Sequence, residues 1–88
     1  MANHVSAAKR ARQSEKRRLN NRNRKGAMRT AIKGVLEAVE SGDAEAANSA
    51  LKTASSLIDR AGRLGTIHKN QAARRVSRLT AKVKGISA

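Results

Sequence analysis

The sequence predicts an all-α protein, an up-down-up three-helix bundle whose first helix outruns the other two. Three observations carry that expectation. Apolar residues recur at three- and four-residue spacing in three separate stretches, and the two-residue alternation of a half-buried strand is absent. The 88-residue chain contains no proline to interrupt a helix. Glycine punctuates the ends of the periodic stretches, at Gly42 and again at Gly62 and Gly65. A chain of this size supports one domain, taken here as residues 1–88.

The first helix is expected over residues 6–41. Met28, Ile32, Val35, Leu36 and Val39 fall within about a third of a helical wheel at ~100° per residue. That span would reach roughly 54 Å at ~1.5 Å per residue, about twice the length of its partners. The apolar stripe fades before Met28, where only scattered alanines and Leu19 remain. The N-terminal half should therefore project beyond the bundle. It carries Arg22, Arg24 and Lys25 among Asn20, Asn21, Asn23 and Gly26. Asn and Gly are poor helix formers, costing up to ~1 kcal/mol each relative to Ala, and like charges on neighbouring turns repel. Residues 1–25 or so are thus expected to fray in the free protein and to become helical on binding a partner that neutralises them.

Ser41-Gly42-Asp43 reads as a stop followed by a start. Gly42 suits a left-handed residue just past a helix end, and Asp43 suits the next N-cap. The second helix, 44–63, places Glu45 in its first turn, where a negative charge meets the helix dipole favourably. It buries Ala47, Ala50, Leu51, Ala54, Leu57, Ile58 and Ala61. Gly65-Thr66 marks the second break, with Thr66 or His68 opening the third helix over 68–86. There Ala72, Val76, Leu79, Val83 and Ile86 follow a 4-3-4-3 spacing, a coiled-coil-like seam. Short connections make consecutive helices antiparallel.

Charge then narrows the function. Twenty Lys and Arg stand against six Asp and Glu, for a net charge of +14. A compact fold with that excess repels itself and is relieved by a polyanion. The distribution is lopsided: residues 1–35 carry a net +10, residues 36–67 a net −2 and residues 68–88 a net +6. The two ends should face the polyanion and the middle should face solvent. There are no aromatic residues, which argues against base-stacking platforms and against an aromatic-anchored membrane helix. No cysteine is present, no apolar signal core opens the chain, and no stretch approaches the ~20 apolar residues of a membrane span. A cytoplasmic location is expected.

The basic residues of the first helix surround its axis. Lys9, Arg12 and Lys16 point one way, Arg18, Arg22 and Arg29 another, and Arg10, Arg17 and Arg24 a third. Such a helix suits a crevice between several RNA segments better than one smooth duplex. In the third helix Arg74, Arg75, Arg78 and Lys82 share one flank beside the apolar seam, and the Arg fork holds a phosphate by two hydrogen bonds. Charge runs are often only solvated surface, but here acids are nearly absent from both ends. His4 and His68 are the only histidines and have no Cys or carboxylate partner at ligand spacing. A metal or catalytic role is not expected of them, and His68 suits a helix cap or an RNA contact. Glu37, Glu40, Asp43, Glu45 and Asp59 form no paired-carboxylate site, and no phosphate loop or nucleophile motif is present. No enzymatic activity and no cofactor are expected.

Particular segments carry a family resemblance. Ile67-His68-Lys69-Asn70, followed by Ala72-Ala73-Arg74 and Ser77-Arg78-Leu79, resembles the signature of the bacterial small-subunit ribosomal protein twenty family. Met1-Ala2-Asn3, Ser6-Ala7, Lys9-Arg10, the run Arg12-Gln13-Ser14-Glu15-Lys16-Arg17-Arg18, and Met28-Arg29-Thr30 with Ile32-Lys33 match the same pattern. The likeness spans the whole chain. It implies a three-helix bundle with a long first helix and an early-binding structural role in the small ribosomal subunit. The implied partner is 16S rRNA, chiefly its 5′ domain, with contact to the 3′ minor-domain stem and few protein contacts. The implied rRNA-facing residues are the basic ones from Lys9 to Lys33, Lys25 included, and His68, Lys69, Asn70, Arg74, Arg75 and Arg78. Two positions depart from the family pattern. Gly26 replaces the usual Ser, which strains helix continuity there, and Thr66 replaces an apolar residue, which should slightly weaken packing at the last turn.

The resulting expectation is an rRNA-binding scaffold that neutralises phosphates and releases condensed counterions. A histone-like DNA-compacting protein is the alternative, although no wedge residue for bending DNA is visible. A membrane-active amphipathic peptide is disfavoured by the missing aromatics.

Overall fold

The computed structural model describes the backbone of residues 2–87 and the side chains of residues 6–86; the side chain of His4 lies outside that range. Three helices follow one another: α1 over Ala2–Ser41, α2 over Ala44–Arg63 and α3 over Lys69–Ser87. No strand occurs among the described residues. The molecule measures 65 × 21 × 13 Å, an elongated form set by the length of α1.

Both connections are closed by the same device. Gly42 and Gly65 adopt φ of 76°, a left-handed backbone that a side chain would strain. After α1, the Gly42 amide donates to the Val39 carbonyl at 3.1 Å and the Asp43 amide to the Ala38 carbonyl at 3.3 Å. After α2, the Gly65 amide donates to Gly62 and the Thr66 amide to Ala61. Each is a Schellman pair that satisfies the last carbonyls of its helix. Asp43 then caps α2, its Oδ1 accepting from the Ala46 amide at 3.1 Å. His68 opens α3, its Nδ1 accepting from the Asn70 amide at 3.1 Å. Of the two candidates for that position, His68 rather than Thr66 is the cap.

The core alternates small and large residues. Ala47, Ala54, Ala61 and Ala72 are buried among Met28, Val35, Ile58, Leu79 and Val83. Small residues let the helix axes approach, and each fully buried Val or Ile contributes about 1.5–3 kcal/mol. Leu36 corrects the expected α1 stripe. It is 38% exposed, because it lines the open groove between α1 and α3, the two helices that pack least on one another. α1 and α3 each pack mainly on α2 and touch one another least.

Two expectations about α1 are also corrected. It begins four residues earlier than expected and runs unbroken through Gly26. The physical reason lies in the stretch of weak helix formers. Asn21 and Arg24 are half-buried against Thr66, which packs on them from the turn between α2 and α3. Thr66 is itself 9% exposed. The expected weak point of packing is instead a hydrogen-bonded junction.

Candidate nucleic-acid interface

The candidate interface begins where α1 leaves the bundle. Residues 6–20 are exposed on every side. Lys9, Arg10, Arg12, Lys16, Arg17 and Arg18 therefore ring an exposed helix. Glu15 is the one acid of this segment. It pairs with Arg18 one turn away, and this is the ion pair found among the described residues. The hydrogen bond from Arg18, reinforced by its positive charge, holds the Glu15 carboxyl below its ordinary range. The same contact raises the Arg18 guanidinium. Both side chains are exposed, so water screens the pair and it orders Arg18 more than it stabilises the fold.

Next comes the neck of α1. Arg24 Nη1 donates to Asn21 Oδ1 at 2.8 Å and to Thr66 Oγ1 at 3.3 Å, while Thr66 Oγ1 donates to Asn21 Oδ1 at 3.0 Å. Arg24 is thus a tethered cation rather than a free one. Along the same stretch of α1, Arg18, Asn21, Arg22, Lys25 and Arg29 line a shallow basic recess of about 360 Å³.

The fold then joins two groups that stood apart in the sequence. Lys25 and Arg29 of α1 face His68, Gln71 and Arg75 across a cleft of about 350 Å³, floored by Met28 and Ile67. On the outer side of α3, His68, Asn70, Gln71, Arg74, Arg75 and Arg78 enclose a larger concavity of about 720 Å³. The Arg74 Nε donates to the Asn70 carbonyl at 3.4 Å, which steadies its fork along the helix. Arg75 and Arg78, with Lys82, continue along the groove between α1 and α3 over Ile32, Leu36 and Leu79. A continuous cationic track thus follows α3 and crosses to α1 at the helix opening.

Lys69 departs from this grouping. It lines a recess between α2 and α3 with Asp59, Gly62 and Arg63, on a different side from Arg74 and Arg75. Lys33 is exposed on α1 and lines none of these recesses. Gln71 was missed by the sequence reasoning, which followed charge, although it lines both recesses at the start of α3. Its three-residue spacing from His68 was the available signal.

No group of three or more His, Cys, Asp or Glu is placed to hold a metal among the described residues. No described helix is long and apolar enough to cross a membrane.

Comparison with known proteins gives one consistent result. Residues 2–84 match the model of the family described as Ribosomal protein S20. The chain is 52% identical over 87 residues to the small ribosomal subunit protein bS20 of Hydrogenovibrio crunogenus, covering 99% of this chain and 100% of that one. It is 51% identical over 86 residues to the bS20 of Aliivibrio fischeri, covering 98% and 100%. With the bS20 of Magnetococcus marinus it shares 53% over 87 residues, covering 99% and 95%.

Proposed function

Because this chain belongs to the Ribosomal protein S20 family, a family of structural components rather than enzymes, we propose that it binds 16S rRNA directly and helps it fold within the small ribosomal subunit. Its main contact is with the 5′ domain, and a second contact reaches the 3′ minor domain. It acts on the ribosome in the cytoplasm. The observation that carries this proposal is the projecting part of α1, exposed all round, ringed by cations and nearly free of acids.

The mechanism is electrostatic and geometric. RNA folding brings phosphates of different segments close together, and their repulsion opposes the fold. A cationic rod inserted between them neutralises several strands at once and releases their condensed counterions. In this proposal Lys9, Arg10, Arg12, Lys16, Arg17 and Arg18 serve the deep part of the crevice. Arg22, Arg24, Lys25, Arg29 and Lys33 serve its mouth. His68, Asn70, Arg74, Arg75, Arg78 and Lys82 hold a further segment along α3, and Lys69 meets phosphate separately, from the α2 side of that helix. Double-stranded RNA is read by shape and backbone, so specificity resides in the spacing between the α1 rod and the α3 track.

Chemical footprinting of small-subunit rRNA, with and without the protein, tests the assignment. Protections should fall in the 5′ domain and on the 3′ minor-domain stem. Six to ten phosphate contacts predict an affinity loss of roughly 10³–10⁵ between 50 and 200 mM salt. A flat salt response, or equal affinity for duplex DNA, would overturn the proposal.

A further inference from the structure

The junction of Asn21, Arg24 and Thr66 joins parts of the chain that sequence separates by more than forty residues. It also lies at a mechanical position. On its N-terminal side, residues 6–20 are exposed all round. On its C-terminal side, Met28 is already in the core. Asn21 and Arg24 are therefore the point at which α1 leaves the bundle, and Thr66 is what they rest on. Residues 2–20 form a lever of roughly 28 Å at ~1.5 Å per residue.

We infer that Thr66 is a positioning residue for RNA binding: its hydroxyl holds Asn21 and Arg24 so that the α1 lever leaves the bundle at one preset angle. The hydroxyl both donates and accepts here, which a valine of the same shape cannot do. It also lies in the turn directly before His68, at the opening of the α3 cationic track. One contact thus fixes the lever relative to that track, and this spacing is what an rRNA crevice reads. Weak helix formers at Asn20, Asn21, Asn23 and Gly26 make α1 most bendable at this place. Without the tie the lever samples a range of angles, and RNA must select one of them. Binding then loses the advantage of preorganisation.

The inference rests on the rRNA-binding proposal for its consequence, but its geometry is measurable without RNA. The chain contains no cysteine, so Gln13→Cys and Ser56→Cys install a spin-label pair with one label on the lever and the other on exposed bundle surface. In that background the pair-distance distribution should be narrow for Thr66 and for Thr66→Ser, and broad for Thr66→Val. Without labels, Thr66→Val should weaken binding to folded small-subunit rRNA about threefold to tenfold, with the slope against salt unchanged because no phosphate contact is lost. Thr66→Ser should restore it. Valine buries well at this site, so thermal stability should hold and unfolding cannot account for the loss. An unchanged distance distribution in Thr66→Val overturns the inference, and so does a broadened one with undiminished affinity. If the wild-type chain ignores rRNA altogether, the proposed function fails, while the label distances still report on the tie.

Discussion

Replacing glycine by alanine at Gly26 and at Gly62 should move stability in opposite directions. Both positions lie in helices, Gly26 within α1 and Gly62 one residue before the end of α2, so Gly26→Ala gains about 0.5–1 kcal/mol of helix propensity and Gly62→Ala at most that. Their surroundings differ. A Cβ on Gly26 would meet nothing within 4 Å. A Cβ on Gly62 would lie 2.8 Å from the Ala72 Cβ and 3.7 Å from the Lys69 Cα. Carbon atoms rest at about 3.5–4.0 Å, so α2 and α3 would have to separate by roughly 1 Å. The Ala72 methyl has no rotamer by which to yield, and Ala72 is buried. Such overpacking costs about 1–3 kcal/mol. The difference between the two variants therefore contains that cost in full, plus any shortfall in propensity at the end of α2. At about 4–8 °C per kcal/mol for a domain of this size, the two melting temperatures should be at least ~4 °C apart. Gly26→Ala should melt above the wild type. Adding Ala72→Gly to Gly62→Ala should recover part of the loss. Calorimetry or thermal circular dichroism reads all four proteins. Equal stabilisation by Gly26→Ala and Gly62→Ala would refute the close approach of α2 and α3.

Two further outcomes follow from the caps and the ion pair. Asp43→Ala removes the acceptor for the Ala46 amide and should cost about 1 kcal/mol. Asp43→Asn keeps that oxygen and should stay near wild type; an Asn variant as weak as the Ala variant would count against the cap. Glu15 has a lowered folded pKa, so its contribution is present above the ordinary carboxylate range and is lost as pH falls through the lowered value. The helicity of the N-terminal half of α1 should therefore decline on acidification, with the Glu15 carboxyl titrating below a free glutamate by NMR. Glu15→Gln should remove that part of the decline.

Local signals were legible where one residue type answers to one backbone requirement. Gly42 and Asp43 announced the first turn because a left-handed backbone and an N-cap each accept few side chains. The stripes of α2 and α3 were legible because a helix buries residues at its own period. Leu36 was misplaced by the same rule. Periodicity places it on the apolar side of α1, but α1 is covered mainly by α2, so only part of its stripe is buried. The role of Thr66 could not be read at all. Its partners Asn21 and Arg24 look like two more polar residues in a weak helical stretch, and nothing short of the folded chain sets them beside a turn more than forty residues away. The candidate site divides the same way. Composition revealed which segments are cationic, whereas the meeting of Lys25 and Arg29 with His68 and Arg75 belongs to the topology.

That topology also explains how so basic a chain stays folded. The two strongly cationic elements are α1 and α3, and these pack on one another least. α2, which carries Glu45 and Asp59 against Lys52, Arg60 and Arg63, lies between them as a nearly neutral spacer. Repulsion between α1 and α3 is thereby kept across a distance and through water, where unit charges beyond about 8–10 Å are largely screened at physiological salt. Where they do converge, at Lys25, Arg29 and Arg75, the cleft is open to solvent, and the same repulsion becomes attraction for an anion. The alanine-rich core therefore need only hold α1 and α3 against a common spacer. In the proposed complex, phosphates entering the cleft would relieve the strain of bringing these charges together, so RNA would reinforce the seam where the helices pack least.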